Sequence, residues 1–521
     1  MNLQNLFRSY CAPLFHPLAQ AFVLNEKRRF FILCTPLWLF VTGTTWAVRT
    51  HFFFWDTVQL GSQHAHFFYE NGFSTFLLPD NMDSGHPPIF GFYLAIAWRV
   101  FGKTLTVSHL AMLPFLLGIV GQAFKLGEKF LGAWQAIFFP LVLICNPVMA
   151  SQGVLVSPDV VLVFFFLMGL NNIIKRSHKK VYWGLSIAIL GLSMISMRGM
   201  MVCAVLFLFD MFYNRSSEFI RRPRSWRINS PLQWMAIRPY ILGGMSALSF
   251  LLFHYFKKGW VGYHVNSEWA EAFQIVNFQG FIKNIAILVW RLVDFGHVFI
   301  GLIILFCCFL LRGYLRFKKT KTLVVLLGIS VIVLTPTLLL YKGLLAHRYL
   351  LPIYLIINLL CLKLISDLKA GTWQPLLYTM AFIGLLSGNF WVYPQPISTG
   401  WDSTLAHLPY YGLRNEMIQY IDNQGIKHKE VGTAFPNLRP FKLIDLNENS
   451  TNSDRSAAGE NNFSPIDFEK NQYIFYSNVM NDFNKKELAI LEKDWQVVKK
   501  MAYVNPCGRA DLIEVILYTR K

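Results

Sequence analysis

Charge is what this sequence has little of. Only 15% of its 521 residues are Asp, Glu, Lys or Arg, against about a quarter in an ordinary soluble domain. Cysteine is sparse too, and most of it (Cys34, Cys145, Cys203, Cys307, Cys308, Cys361) lies in or beside apolar stretches. Cys11 and Cys507 stand outside them, and no pair has metal-ligand spacing, since Cys307 and Cys308 are adjacent. A zinc ribbon, a disulfide scaffold and dithiol redox chemistry are therefore excluded. There is no glycine-rich nucleotide loop, no nucleic-acid-binding motif and no internal repeat. A cleavable signal is missing as well: the first apolar stretch follows Lys27-Arg28-Arg29 with no small-residue cleavage site, so it reads as a signal anchor.

What is present is apolar: 54% of the residues are hydrophobic. They fall into roughly ten blocks of the length, about 20 residues, that crosses a bilayer as a helix. The net charge of +19 sits between those blocks, at Lys27–Arg29, Lys125–Lys129, Lys175-Arg176, Lys179-Lys180, Arg221 to Arg227 and Lys318 to Lys321. That is the pattern of bases retained on the inner side of a membrane, and with no nucleic-acid motif beside it, nucleic acid is excluded as a partner. The expected fold is an α-helical polytopic membrane protein of 10–13 spans. Spans are placed near 30–48, 130–149, 154–174, 181–197, 199–213, 240–256, 295–311, 323–340, 349–366 and 375–393, with an external first loop at 49–86. Residues 87–124 hold two apolar stretches where parity allows an odd number of crossings.

Residues 1–393 thus form the transmembrane domain. From Pro394 the apolar blocks stop, and 394–521 reads as a small α/β domain on the outer face. Strands are expected at 430–434, 473–477 and 512–518, helices at 416–423 and 484–494, and a polar loop at 446–462.

Polar residues collect on the external side, where topology gives no reason for them. Asp56 follows Phe52-Phe53-Phe54-Trp55; a carboxylate so close to apolar surface is partly desolvated and becomes a better proton acceptor near neutral pH, although a solvated loop acid or a helix cap is the plainer alternative. The same loop carries Glu70, Asp80, Asp83 and His86, and His86-Pro87-Pro88 opens the next apolar stretch, where prolines suit a helix start. Asp159 in Ser157-Pro158-Asp159 is at a span mouth, either as a helix cap or as a paired, functional acid. Arg198 and Arg348, the latter near Lys342 and His347, are cations on the base-poor side. They can grip a phosphate or snorkel to lipid headgroups.

An acid just after the first span, His-Pro-Pro opening the second apolar region, Pro-Asp at a later mouth and Arg348-Tyr349-Leu350-Leu351-Pro352 resemble the GT-C glycosyltransferases. The likeness is to the branch of protein O-mannosyltransferases and lipid A aminoarabinose transferases, over residues 55–172 and 347–352. The resemblance implies an inverting transfer from a polyprenyl-phosphate sugar to a lipid, glycan or protein hydroxyl, in a cavity at the outer surface. It implies that Asp56 is the catalytic base, that Asp159, with Glu70 and Asp83, supplies acceptor or structural acids, and that His86, Pro87 and Pro88 form the first-loop motif. Arg348, Arg198, Lys342 and His347 would meet the donor phosphate. The family often has a second acid beside the first, whereas Trp55-Asp56-Thr57-Val58 has one, which speaks against a required divalent metal. The expected setting is a bacterial inner membrane, with the site facing the periplasm or exterior. A flippase or transporter of lipid-linked saccharides would share the spans and cations but usually carries mid-span charges and repeated halves. A phosphoethanolamine transferase would need a nucleophilic Thr and a metal cluster, and neither is visible.

Overall fold

A computed structural model describes residues 26–175, 183–219, 231–264, 270–311, 318–368, 373–393, 400–435, 437–446, 462–479, 485–503 and 513–521. Most of the described chain up to 393 is helix. Among the described residues, six helices are long and apolar enough to cross a membrane: Glu26–Ala47, Leu105–Phe130, Pro158–Lys175, Ile237–Lys258, Lys318–Leu340 and His347–Asp367. Two further pairs qualify if each is counted as one bent span, which makes eight.

This is fewer than the 10–13 read from the sequence, and the reason is helix length and breakage. Ile89–Phe101 and Trp183–Ile195 are apolar but only 13 residues each. The block at 130–149 is broken at Asn146-Pro147, where Gln135–Cys145 and Pro147–Val154 meet at 67°; proline removes the hydrogen bond that would continue the first helix. The ambiguous stretch 87–124 resolves into Ile89–Phe101 and Leu105–Phe130, parted by Gly102 at φ 97°. The second bent pair joins Phe278–Val293 to His297–Leu310 at 82°. Phe278–Val293 has no apolar run of span length, because Gln279, Lys283, Asn284 and Arg291 interrupt its apolar residues.

The bundle has two chemically distinct ends. Arg29 pairs with Glu128 at 2.7 Å. Lys175 lies in the field of Lys125 and Lys129, and Lys319 in that of Lys129 and Lys363. Arg29, Lys125, Lys129, Lys175 and Lys319 are thus gathered at one end, while Arg176, Lys179-Lys180 and Arg221 to Arg227 lie outside the described residues. The central helix Leu351–Asp367 is buried along nearly its whole length. Its N-terminus, a 3-10 turn at His347–Leu350 followed by Pro352, opens at the opposite end.

The C-terminal segment packs at that opposite end. Its five strands, β1 (Val431–Thr433), β2 (Ser464–Pro465), β3 (Tyr473–Ser477), β4 (Trp495–Tyr503) and β5 (Ile513–Arg520), form one sheet in the order β2-β1-β3-β5-β4. β1 runs parallel to β2 and β3, while β5 is antiparallel to β3 and β4. Helices Pro409–Asn423 and Lys485–Asp494 pack on it. β4 was not foreseen: as an edge strand it is largely exposed and carries Lys499-Lys500, so its residues lack the alternation of a half-buried strand. The polar loop expected at 446–462 lies almost wholly outside the described residues.

Candidate active site

Asp56 owes its position to a strained turn. After Glu26–Ala47 ends, the chain reaches Trp55, which holds φ at 52°, a region that costs a bulky residue about 1–3 kcal/mol. Contacts on both sides hold it there. Thr57 Oγ1 accepts from Phe54 N at 2.8 Å and donates to Phe54 O at 2.7 Å. Phe53 N donates to Ile444 O at 2.8 Å, and the Trp55 ring meets Phe435 edge-on at 5.1 Å. Phe52 lies under the Arg414 guanidinium at 4.4 Å. Three of these partners belong to the C-terminal segment, so that segment clamps the loop. Beyond Asp56 a π-helical turn, Val58–Gln63, runs into His64–Glu70.

Asp56 is 4% exposed and sits in a compact cluster of charges. Arg348, from the mouth of the central helix, donates to Asp56 Oδ2. Its other nitrogens lie 3.1 Å from Asp402 Oδ2 and 3.8 Å from Asp159 Oδ2. Asp159 also accepts from Arg198 at 2.5 Å, and the Arg198 guanidinium stacks on Tyr349 at 4.0 Å. Ser157 Oγ accepts from the backbone N–H of Asp159 at 3.2 Å. The helix start is therefore capped by Ser157, and the Asp159 carboxylate is left to the two arginines. Gln152 completes the frame, donating to the Asp402 carbonyl at 2.8 Å and accepting from Ser157 at 2.5 Å. Three carboxylates face two guanidiniums. Burial pushes the Asp56 carboxyl above the ordinary aspartate range; Asp402 and Asp159 push the same way, and Arg348 pulls against them.

Asp56, Asp159, Arg198 and Arg348 form one pole of a cavity of about 380 Å³, with Asp402 and Gln152 behind them. Asp56, Thr57, His64, Ser84, His86, Pro87, Asp159, Arg198, Arg348 and Tyr349 line it. Its other wall is largely apolar: Met201, Phe273, Leu334, Leu338, Tyr341 and Leu344. Asp56 Oδ1, Ser84 Oγ and His86 Nδ1 are buried without a hydrogen-bond partner, an arrangement native structures keep mainly for a reason. Burial, reinforced by Arg198, His64 and Arg348, pulls His86 down to about 3, so it meets a ligand as neutral imidazole.

The sequence candidates separate accordingly. Asp56, His86, Pro87, Asp159, Arg198 and Arg348 come together on the cavity wall, and Pro88 immediately precedes the helix Ile89–Phe101. Asp83 is buried elsewhere: it pairs with His254 at 3.1 Å and lies 3.7 Å from Lys258, which also binds Asp80 at 2.6 Å. These bonds tie the loop bearing Ser84 and His86 to the end of helix Pro231–Lys258. The tie is close, since a Cβ on Gly85, at φ +72°, would fall 2.0 Å from Gly262 O. Glu70 is exposed, 3.9 Å from Lys442. Lys342 is exposed and paired with Glu271. His347 is buried but turned from the cavity, 2.9 Å from Asp294, which also accepts from Tyr393 at 2.5 Å and Trp290 at 3.1 Å. Asp402 and Gln152 carried no sequence signal, being a lone acid and a lone amide without a motif.

Asp56, Asp159 and Asp402 do not fit a metal ion as they stand, because a guanidinium occupies the space between them. Among the described residues no group of three His, Cys, Asp or Glu is arranged to hold one.

No curated protein sequence matches the chain. The family model described as dolichyl-phosphate-mannose-protein mannosyltransferase matches residues 85–227, a stretch that includes His86, Asp159 and Arg198 but neither Asp56 nor Arg348. The crystal structure of ArnT from Cupriavidus metallidurans bound to undecaprenyl phosphate is similar in fold, with a TM-score of 0.51 and 12% identity over 94% of this chain and 97% of that one. The apo crystal structure of the same protein gives a TM-score of 0.48 and 12% identity over 93% and 97%. The family match over 85–227 and the shared fold support the resemblance to the GT-C glycosyltransferases, in the branch of protein O-mannosyltransferases and lipid A aminoarabinose transferases.

Proposed function

We propose that this chain is an inverting glycosyltransferase that moves a sugar from a polyprenyl-phosphate donor to an acceptor hydroxyl at the outer face of a membrane. The observation that carries the reading is the two-sided cavity: a buried acid beside two guanidiniums at one pole, and a largely apolar wall at the other. The apolar wall suits a prenyl chain arriving from within the bilayer. Arg198 and Arg348 suit the phosphate, whose charge grows as the bond to the sugar breaks. Asp56 takes the proton of the acceptor hydroxyl, the acceptor oxygen bonds to the anomeric carbon, and the bond from that carbon to the phosphate oxygen breaks. Its electron pair leaves with the polyprenyl phosphate. The bound lipid of the fold relative, undecaprenyl phosphate, suggests that class of donor and a bacterial inner membrane.

The purified protein, incubated with undecaprenyl-phosphate hexose and undecaprenyl-phosphate aminopentose, is expected to release undecaprenyl phosphate from one of them when crude envelope acceptors are added. A protein that binds the donors and moves them between leaflets without release would be a carrier, and the transferase reading would fall.

The gathering of Arg29, Lys125, Lys129, Lys175 and Lys319 away from Asp56 supports a topology with the cavity and the C-terminal segment outside, by the positive-inside rule. An Asn423→Cys variant lacking Cys11 and Cys507 is expected to react with a membrane-impermeant maleimide in intact cells. Reaction only after lysis would invert the topology.

A further inference from the structure

We infer that Asp402, an acid of the C-terminal segment that does not line the cavity, is a positioning residue that acts through Arg348 to set the proton affinity of Asp56. This rests on the reading of Asp56 as the base.

The geometry begins with Arg348. One face of its guanidinium is given to Asp56 and another nitrogen to Asp402 Oδ2 at 3.1 Å. A guanidinium shared between carboxylates neutralises each less than it would neutralise one alone. Asp402 is itself fixed: it is 6% exposed, and its carbonyl takes the Gln152 amide at 2.8 Å. It lies in the 3-10 turn Trp401–Ser403, just after Gly400, whose added Cβ would come within 3.3 Å of the His347 ring. His347 in turn is held by Asp294 at 2.9 Å. The turn that delivers Asp402 and the turn that delivers Arg348 are thus packed on each other.

The charged and titratable groups that bear on Asp56 come from every neighbouring element. They are Arg348 at the central helix mouth, Asp402 behind it, Asp159 and Arg198 at the same pole of the cavity, and His64 and His86 on the first loop. Of these, Asp402 is the acid that the cavity wall does not need for contact with a ligand. Its negative charge repels that of Asp56 and also keeps Arg348 from being wholly committed to it, and both effects favour the protonated carboxyl. Without Asp402, Asp56 would ionise at lower pH and be a weaker base for a hydroxyl proton.

The measurement is pH-difference infrared spectroscopy of the full-length protein in detergent, with no substrate present. The carboxylic acid band lost in Asp56→Asn is assigned to Asp56, and its titration midpoint is followed. In Asp402→Asn that midpoint is expected to move down by about one pH unit, while Asp402→Glu, which keeps the charge, restores most of the shift. Asp402→Ser is the second neutral variant; the Gln152 bond goes to the main chain and survives in it. An unchanged midpoint in a folded neutral variant overturns the inference. The reading of Asp56 as base is tested separately, by the loss of undecaprenyl phosphate release in Asp56→Asn: release lost with the midpoint unmoved sinks the role of Asp402 alone.

Discussion

Asp56→Asn is expected to lower the rate of polyprenyl phosphate release by a factor on the order of 100 or more, the usual cost of losing a general base. Asparagine keeps the shape of the side chain and can still meet Arg348, so donor binding and thermal stability should change little. The wild-type rate should also depend on pH in a defined sense. The base works only when ionised, and burial holds its pKa above the ordinary aspartate range. Activity therefore falls as pH drops through that raised value, at a higher pH than for a solvent-exposed aspartate. The acid limb disappears in Asp56→Asn along with the activity. A variant with near-normal turnover, or one that keeps the limb, would remove Asp56 from the proton transfer.

Arg348→Ala should be the most damaging single change. The guanidinium is 6% exposed and faces three carboxylates. Its loss leaves buried negative charge uncompensated, which costs about 3–5 kcal/mol when one partner of a buried pair is removed. A lower melting temperature is expected, and a rise in the proton affinity of Asp56, which Arg348 holds down. The same cation faces the donor phosphate in the proposed reaction, and a charged hydrogen bond contributes about 1.5–3 kcal/mol. Affinity for undecaprenyl phosphate, measured by calorimetry, should then fall about 10- to 150-fold. Arg348→Lys keeps the charge but loses the planar fork that serves several oxygens at once, so it should lie between alanine and wild type on both scales. Equal affinity in all three proteins would show that the phosphate is held elsewhere, with Arg198 the remaining guanidinium on the cavity wall. Equal melting temperatures would show that the acid cluster does not depend on Arg348.

The helices were legible because a bilayer span announces itself over 20 or so consecutive residues. So was the short list of polar residues that such a chain has no topological reason to carry: Asp56, Asp159, Arg198 and Arg348. Local pattern could not reveal which of them touch, since the Arg348–Asp56 contact joins positions 292 apart. Nor could it separate neighbours. His347 and Arg348 are adjacent, yet a 3-10 turn sends one toward Asp294 and the other toward Asp56. Lys342 looked like part of the same cationic group until Glu271 claimed it. Helix breaks were hidden for a related reason. The bends at Asn146 and at Asp294–Gly296 are stabilised by each other, with Asn146 Nδ2 2.8 Å from His297 Nε2, a contact between residues that no window spans. Asp402 was missed because it stands alone in a polar segment where single acids are commonplace.

Asp402 enters the chain only after the last apolar helix, Trp373–Gly388, so the order of synthesis has a bearing on the site. Asp56 leaves the ribosome early, Arg348 much later, and Asp402 later still. A nascent chain halted in the membrane between them holds the acid without its counter-ion, or the counter-ion without the second acid that divides it. The clamp from Ile444 and Phe435 on the strained loop arrives last of all. The charged cluster around Asp56 is therefore closed by the final quarter of the polypeptide, and a chain cut before Asp402 lacks both the second acid on Arg348 and the clamp on the strained loop.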